Sequence, residues 1–149
     1  MSKAGKIIIA LVVCFVLLIA GVVGLGLYWW SHHKQELFEA SEKQIEAGEA
    51  FGKQTDEQGC LDEAIKRYKE NRGFVGSIST GLFLRSCLEA SRPTPGFCDQ
   101  VPKRSEILRS ARWQIEQAKK AGIDDMYGKQ LFGQLQEYCA SKESKAATQ

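Results

Sequence analysis

Four cysteines are the residues best suited to covalent chemistry in this 149-residue chain: Cys60, Cys87, Cys98 and Cys139. Their spacing contains no C-x-x-C pair, and the two histidines, His32 and His33, lie far from them in the sequence. Neither a zinc site nor a thioredoxin-type redox motif is therefore indicated. Two structural disulfides are expected instead, as in a bacterial periplasm or a eukaryotic exterior. The alternative is four buried free thiols in a cytosolic domain.

Other catalytic groups are sparse. His32 and His33 directly follow a long apolar segment, so a Ser-His or Cys-His system would have to operate at a membrane surface. The sequence contains no P-loop, G-x-G-x-x-G or H-E-x-x-H motif. Adjacent acids are interpreted as first-turn helix charges, because neighbouring helical residues point in different directions. Two such pairs are Asp62–Glu63 and Asp124–Asp125. We expect a noncatalytic protein without a cofactor or a metal.

One aromatic residue is a candidate for protein binding. At about 100° per residue, Trp113 falls opposite the apolar stripe of its helix and beside Arg109 and Lys120. The stripe, expected to face the core, comprises Leu108, Ala111, Ile115 and Ala118. Trp113, Arg109 and Lys120 thus form a predicted interface. The interpretation that we favour is that Trp113 is covered by the residue 31–59 segment or by the loop at residues 93–98, because burial on two sides is common in small bundles.

The N-terminal region predicts a transmembrane helix over residues 7–30. These 24 residues are uncharged, and at about 1.5 Å per residue they exceed a hydrocarbon core of roughly 30 Å. The segment ends in Tyr28, Trp29 and Trp30, which are typical of a membrane interface. A cleaved secretory signal is the alternative. Ala20 and Gly24 form a small-x-x-x-small pair, a weak signal for a homodimer through this helix.

Basic residues at the two ends of this segment predict its orientation. Lys3 and Lys6 precede it, whereas Lys34 and then only Lys43 follow. The bias places residues 1–6 in the cytoplasm and residues 31–149 in the periplasm or outside the cell. The chain is thus predicted to be a signal-anchored, single-pass protein of the inner (plasma) membrane.

The remaining sequence divides into a stalk at residues 31–59, a head at residues 60–141 and a disordered tail at residues 142–149. Residues 32–58 carry three basic and seven acidic side chains, whereas residues 60–149 carry fifteen basic and eleven acidic ones. These opposite net charges are explained by charged helix faces that point into water. Alternatively, the acidic stalk attracts the basic head, or the head attracts a neighbouring molecule. Because basic and acidic residues are interspersed, nucleic-acid binding is not expected.

The head is predicted to be a small all-α, disulfide-bonded bundle of four helical segments. Broad apolar faces include Val75, Ile78 and Phe83 in the second segment, and Asp124 is the expected N-cap of the fourth. Short connections make successive helices antiparallel. Of the three connectivities that four cysteines allow, this arrangement favours Cys60 with Cys87 and Cys98 with Cys139.

These features together predict a membrane-anchored interaction or structural component of a cell envelope. The bilayer is contacted through residues 7–30, and the head is expected to bind another envelope protein. The layout of an N-terminal anchor followed by periplasmic helices is similar to that of envelope-bridging or lysis accessory proteins. A membrane-surface enzyme or redox protein is the less favoured alternative.

Overall fold

A computed structural model describes the backbone of residues 3–147 and the side chains of residues 11–31 and 38–146. This part of the chain contains α-helices and an isolated bridge between Asp56 and Arg92, but no strand. The helices are α1 (Lys3–Gly52), α2 (Glu57–Glu70), α3 (Phe74–Ala90), α4 (Ile107–Lys120) and α5 (Lys129–Ala147). The predicted all-α, disulfide-bonded fold is confirmed.

The chain divides into two compact units, and the first is Met1–Ala40. Within it, the 21 residues Leu11–Ser31 form a helical stretch that is long and apolar enough to cross a membrane. Their side chains are all exposed, including those of Tyr28, Trp29 and Trp30. At about 1.5 Å per residue the stretch measures about 30 Å. The side chains of His32 and His33 lie outside the described residues.

The second unit, Ser41–Gln149, begins inside the predicted stalk. There the last turns of α1 pack against α3, and the rings of Phe51 and Phe83 lie 5.9 Å apart. Gly48 and Gly52 are buried, and a Cβ on Gly48 would collide with the Ser86 hydroxyl and the Phe83 carbonyl. The C-terminal part of the stalk segment is therefore a packed element of the bundle.

An aspartate cap sets the start of helix α2. The Asp56 carboxylate accepts a hydrogen bond of 2.9 Å from the Gly59 amide, which caps the helix N-terminus. Cys60, Ala64 and Tyr68 follow at helical spacing and are fully buried. Gly73 then ends the connection with φ +98°, a conformation that favours glycine.

Helix α3 buries only part of the apolar face predicted for it. Val75 and Ile78 are exposed, whereas its buried residues include Ser77 and Gly81 as well as Phe83. The Ser77 hydroxyl donates a 2.9 Å hydrogen bond to the Tyr127 carbonyl. Because Gly81 has no Cβ, the side chain of Gln134 on α5 lies against its backbone. Small residues thus bring α3 close to α5.

Helix α5 begins later and ends later than expected. Asp125, rather than the predicted cap Asp124, accepts hydrogen bonds from the Tyr127 and Gly128 amides in the turn before the helix. Asp124 is exposed and pairs with Arg72 at 3.1 Å. The helix continues to Ala147, so residues 142–147 are helical rather than a disordered tail.

Two disulfides close the bundle. Cys60–Cys87 joins α2 to α3 with a Cα–Cα distance of 5.7 Å, and Cys98–Cys139 joins the residue 91–106 connection to α5 at 5.5 Å. This is the pairing that the antiparallel hairpins predicted. The remaining cysteine, Cys14, lies exposed on α1. The bridges flank a core to which α2, α3, α4 and α5 all contribute.

Candidate functional site

The face of α4 that meets the bundle is more polar than the sequence predicted. Ser110 is buried and donates a 2.9 Å hydrogen bond to Oε1 of Gln136, a buried residue of α5. The Gln114 amide donates to the same oxygen at 2.5 Å, and the Gln136 amide donates to the Pro102 carbonyl at 2.9 Å. Burying Gln136 without these partners would be costly. The α4–α5 contact is therefore organised around a polar network.

This packing turns the apolar stripe of α4 away from the core. Leu108 is 85% exposed and Ile115 is 53% exposed, and Ala111 is also exposed. Only Ala118 of the predicted stripe is buried. The prediction that this stripe faces the core is therefore wrong, because α4 packs on α5 through another side, which carries Ser110, Gln114 and Trp113.

The predicted interface residues lie elsewhere on the same helix. Trp113 is half-buried, and its ring meets that of core residue Phe132 edge-on at a centroid distance of 6.1 Å. Arg109 and Lys120 are exposed, and each forms an ion pair within its own segment, with Glu106 at 2.9 Å and Glu116 at 3.1 Å. Trp113 thus contacts α5, and its role as an interface residue stays a prediction.

Cationic side chains flank the exposed stripe. Arg112 and Lys119 are exposed, and neither forms a side-chain ion pair or hydrogen bond within the part of the chain that is described. We call Leu108, Arg112, Ile115 and Lys119 the outer α4 face. A shallow groove of about 450 Å³ continues from Ile115 and Lys119 to Ile123 and Lys129. This face combines apolar contact area with unpaired positive charge.

A buried carboxylate, Glu57, forms a second cluster that sequence reasoning missed. Its side chain is completely buried, and its Oε1 accepts from the Tyr138 hydroxyl at 2.6 Å and the Lys142 ammonium at 2.5 Å. Its Oε2 accepts from the Thr94 amide at 2.6 Å. The only local signal was an acid in the first turn of α2, since the donors lie 37 to 85 residues away.

The charge state of this cluster follows from its surroundings. Burial alone would raise the pKa of Glu57, but the hydrogen bonds from Lys142, Tyr138 and Thr94 together hold that pKa below its usual value. Burial, followed by the bond to Glu57, raises the pKa of Tyr138. The carboxylate is therefore ionised with both oxygens occupied. This arrangement suits a structural lock better than a general base.

A similar pair lies near the other end of α2. The Tyr68 hydroxyl donates to Oδ1 of Asp125, and this bond lowers the pKa of Asp125, aided by the Gly128 and Tyr127 amides. Burial and the same bond raise the pKa of Tyr68. Among the described side chains, no group of three or more His, Cys, Asp and Glu residues is placed to hold a metal.

Comparison with known proteins adds no relative. No protein-family model matches the chain, and neither a curated protein nor a solved structure is similar to it.

Proposed function

We propose that this protein is a noncatalytic, membrane-anchored interaction component of a cell envelope. Its N-terminus lies in the cytoplasm, and its disulfide-bonded bundle lies in the periplasm or outside the cell. The observation that carries this proposal is the combination in one chain of a 21-residue exposed apolar helix and a small bundle with two disulfides.

The anchor is supported by exposure and composition. A soluble protein rarely leaves an apolar surface of this extent in water, and a bilayer would cover the side chains of Leu11–Ser31 along their whole length. Tyr28, Trp29 and Trp30 stand at the end of this stretch, where a membrane interface favours aromatic rings.

The side of the membrane is supported by the disulfides. Both bridges lie in the second unit, C-terminal to the anchor. Disulfides persist in oxidising compartments and are rare in the cytosol, and the two lysines before the apolar stretch favour a cytoplasmic N-terminus. The two arguments are independent and agree.

The binding role is supported by the outer α4 face. Apolar side chains interspersed with unpaired cations on a regular helix offer contact area and orientation for a partner. By contrast, the buried acid Glu57 and the partly buried acid Asp125 are engaged in bonds that connect elements of the bundle. These carboxylates thus stabilise the head, and the outer α4 face is available for binding.

Photo-crosslinking in living cells tests this role. A photoreactive residue placed at Leu108 should yield a discrete protein adduct in the membrane fraction, while the same probe at Lys66, an exposed position on α2, should yield much less. A folded, membrane-bound protein that gives no protein adduct from position 108 would contradict the proposed binding role.

A further inference from the structure

We propose that the partner of the outer α4 face is a second copy of this chain, bound through the acidic side of its α1. This inference rests on the proposed function, since it names the partner of the same surface. The acidic side consists of Glu42, Glu46 and Glu49 with the adjoining Ile45, and we call it the outer α1 face. It belongs to the second unit, like α4.

The outer α1 face is free to receive cations. Glu42, Glu46 and Glu49 follow one another at steps of four and three residues, which places them on one side of the helix. All three are exposed, and within the described residues none forms a side-chain ion pair or hydrogen bond. Ile45 is exposed beside them. The opposite side of these turns, which includes Gly48, packs against α3.

The two faces match in spacing as well as in charge. Glu42 and Glu49 are seven residues apart, and so are Arg112 and Lys119. Seven residues of helix rise about 10.5 Å, so two helices packed nearly parallel or antiparallel can align both charged pairs at once. Leu108 and Ile115 repeat with the same interval and can pack around Ile45.

Apolar contact and charge would have different tasks at this contact. Exposed ion pairs contribute little affinity, so Leu108, Ile115 and Ile45 must supply the attraction by leaving water. The charges disfavour other orientations and contacts between two faces of the same charge. Because each copy is tethered to the same membrane, its effective concentration near its neighbours is high. A weak contact is therefore sufficient.

The contact would be heterologous. The outer α1 face of one copy meets the outer α4 face of the next, so each bound pair leaves one face of each kind unused. Such a contact generates a ring or an open row of copies rather than a two-fold dimer. It also differs from pairing of the transmembrane helices, which would not involve α4.

Charge reversal with compensation tests this inference in full-length protein expressed in cells. One copy carries a photoreactive residue at Leu108, and a second copy carries a distinguishing tag. We expect a crosslinked product that contains both copies. The changes Arg112→Glu and Lys119→Glu in the first copy should lower its yield at least fivefold. The changes Glu42→Lys and Glu49→Lys in the tagged copy should restore at least half of it.

The control applies the same reversal of charge on another helix. Lys66→Glu with Lys69→Glu alters two exposed cations of α2 and should leave the yield unchanged. Loss of the product without restoration, insensitivity to reversal, or an adduct with lipid or with a different protein would overturn the inference. An adduct with a different protein leaves the proposed function standing, whereas the absence of any protein adduct from position 108 refutes both.

Discussion

Replacing Glu57 with alanine should destabilise the head far more than replacing any exposed acid. The side chain is 0% exposed and joins the start of α2 to the residue 91–106 connection through Thr94 and to α5 through Tyr138 and Lys142. Removing it leaves the Tyr138 hydroxyl and the Thr94 amide without their acceptor inside the protein. Buried donors that lose their partner retain the desolvation penalty.

The size of the effect follows from the partners. Hydrogen bonds to a charged group contribute roughly 1.5 to 3 kcal/mol each, and the bonds from Thr94 and Tyr138 are partly buried, as is the one from Lys142. The Lys142 side chain is 43% exposed and can turn to water, so its share is at most about 1 kcal/mol. The alanine variant no longer has the desolvation cost of a buried carboxylate, which offsets part of this loss. We therefore expect Glu57→Ala to lower the free energy of unfolding by about 3 kcal/mol.

Chemical unfolding of the full chain in detergent micelles, with the disulfides intact, measures this cost. Asp62→Ala is the matched control, because Asp62 lies on the same helix but is exposed and accepts a 2.9 Å hydrogen bond from the exposed Gln58 side chain. It should cost less than about 1 kcal/mol. Equal losses for the two variants would refute the interpretation of Glu57 as a buried lock.

Three further predictions concern the same bundle. Folding lowers the pKa of Glu57, so the ionised carboxylate stabilises the folded state above the usual pKa, and this stabilisation is lost as the pH falls through the lower pKa of the folded protein. The free energy of unfolding, measured from about pH 6 to pH 2, should therefore contain an acid-labile contribution that Glu57→Gln removes. Replacing Cys98 and Cys139 with serine opens a loop of 41 residues and should lower the free energy of unfolding, measured by thermal unfolding, by about 4 kcal/mol. A loss smaller than about 1 kcal/mol would contradict a stabilising bridge. Gly48→Ala should destabilise the head by about 1 to 3 kcal/mol because the new Cβ would collide with α3. Gly133→Ala is the control: its Cβ would contact only Gln114, at 3.6 Å, so it should be neutral or stabilising by up to about 1 kcal/mol in the same assay.

The helices and the disulfide pairing could be predicted because their signals are local. Helical apolar spacing indicates α2, and the antiparallel hairpins then bring Cys60 to Cys87. The orientation of α4 could not be predicted in this way. Its periodicity indicates a strongly amphipathic helix, but which side is buried depends on Gln136, a residue of α5.

The same limit applies to the candidate site. Leu108 and Ile115 were expected in the core because sequence patterns assume that the widest apolar stripe is buried. Glu57 was not singled out because its partners are contributed by distant segments. Gly48 reads locally as a weak helix residue, and only its contact with Ser86 shows why a side chain would not fit. Each of these positions is determined by tertiary packing.

Thiol labelling of intact cells with a membrane-impermeant maleimide tests the central claim most directly. We expect the protein to resist alkaline extraction from the membrane and to remain unlabelled until a reductant is added, after which the disulfide cysteines react from outside the cytoplasmic membrane, first at Cys98, which is only half-buried. Extraction as a soluble protein, or labelling of these cysteines only after the membrane is broken, would contradict an anchored protein whose disulfide-bonded head lies outside the cytoplasm.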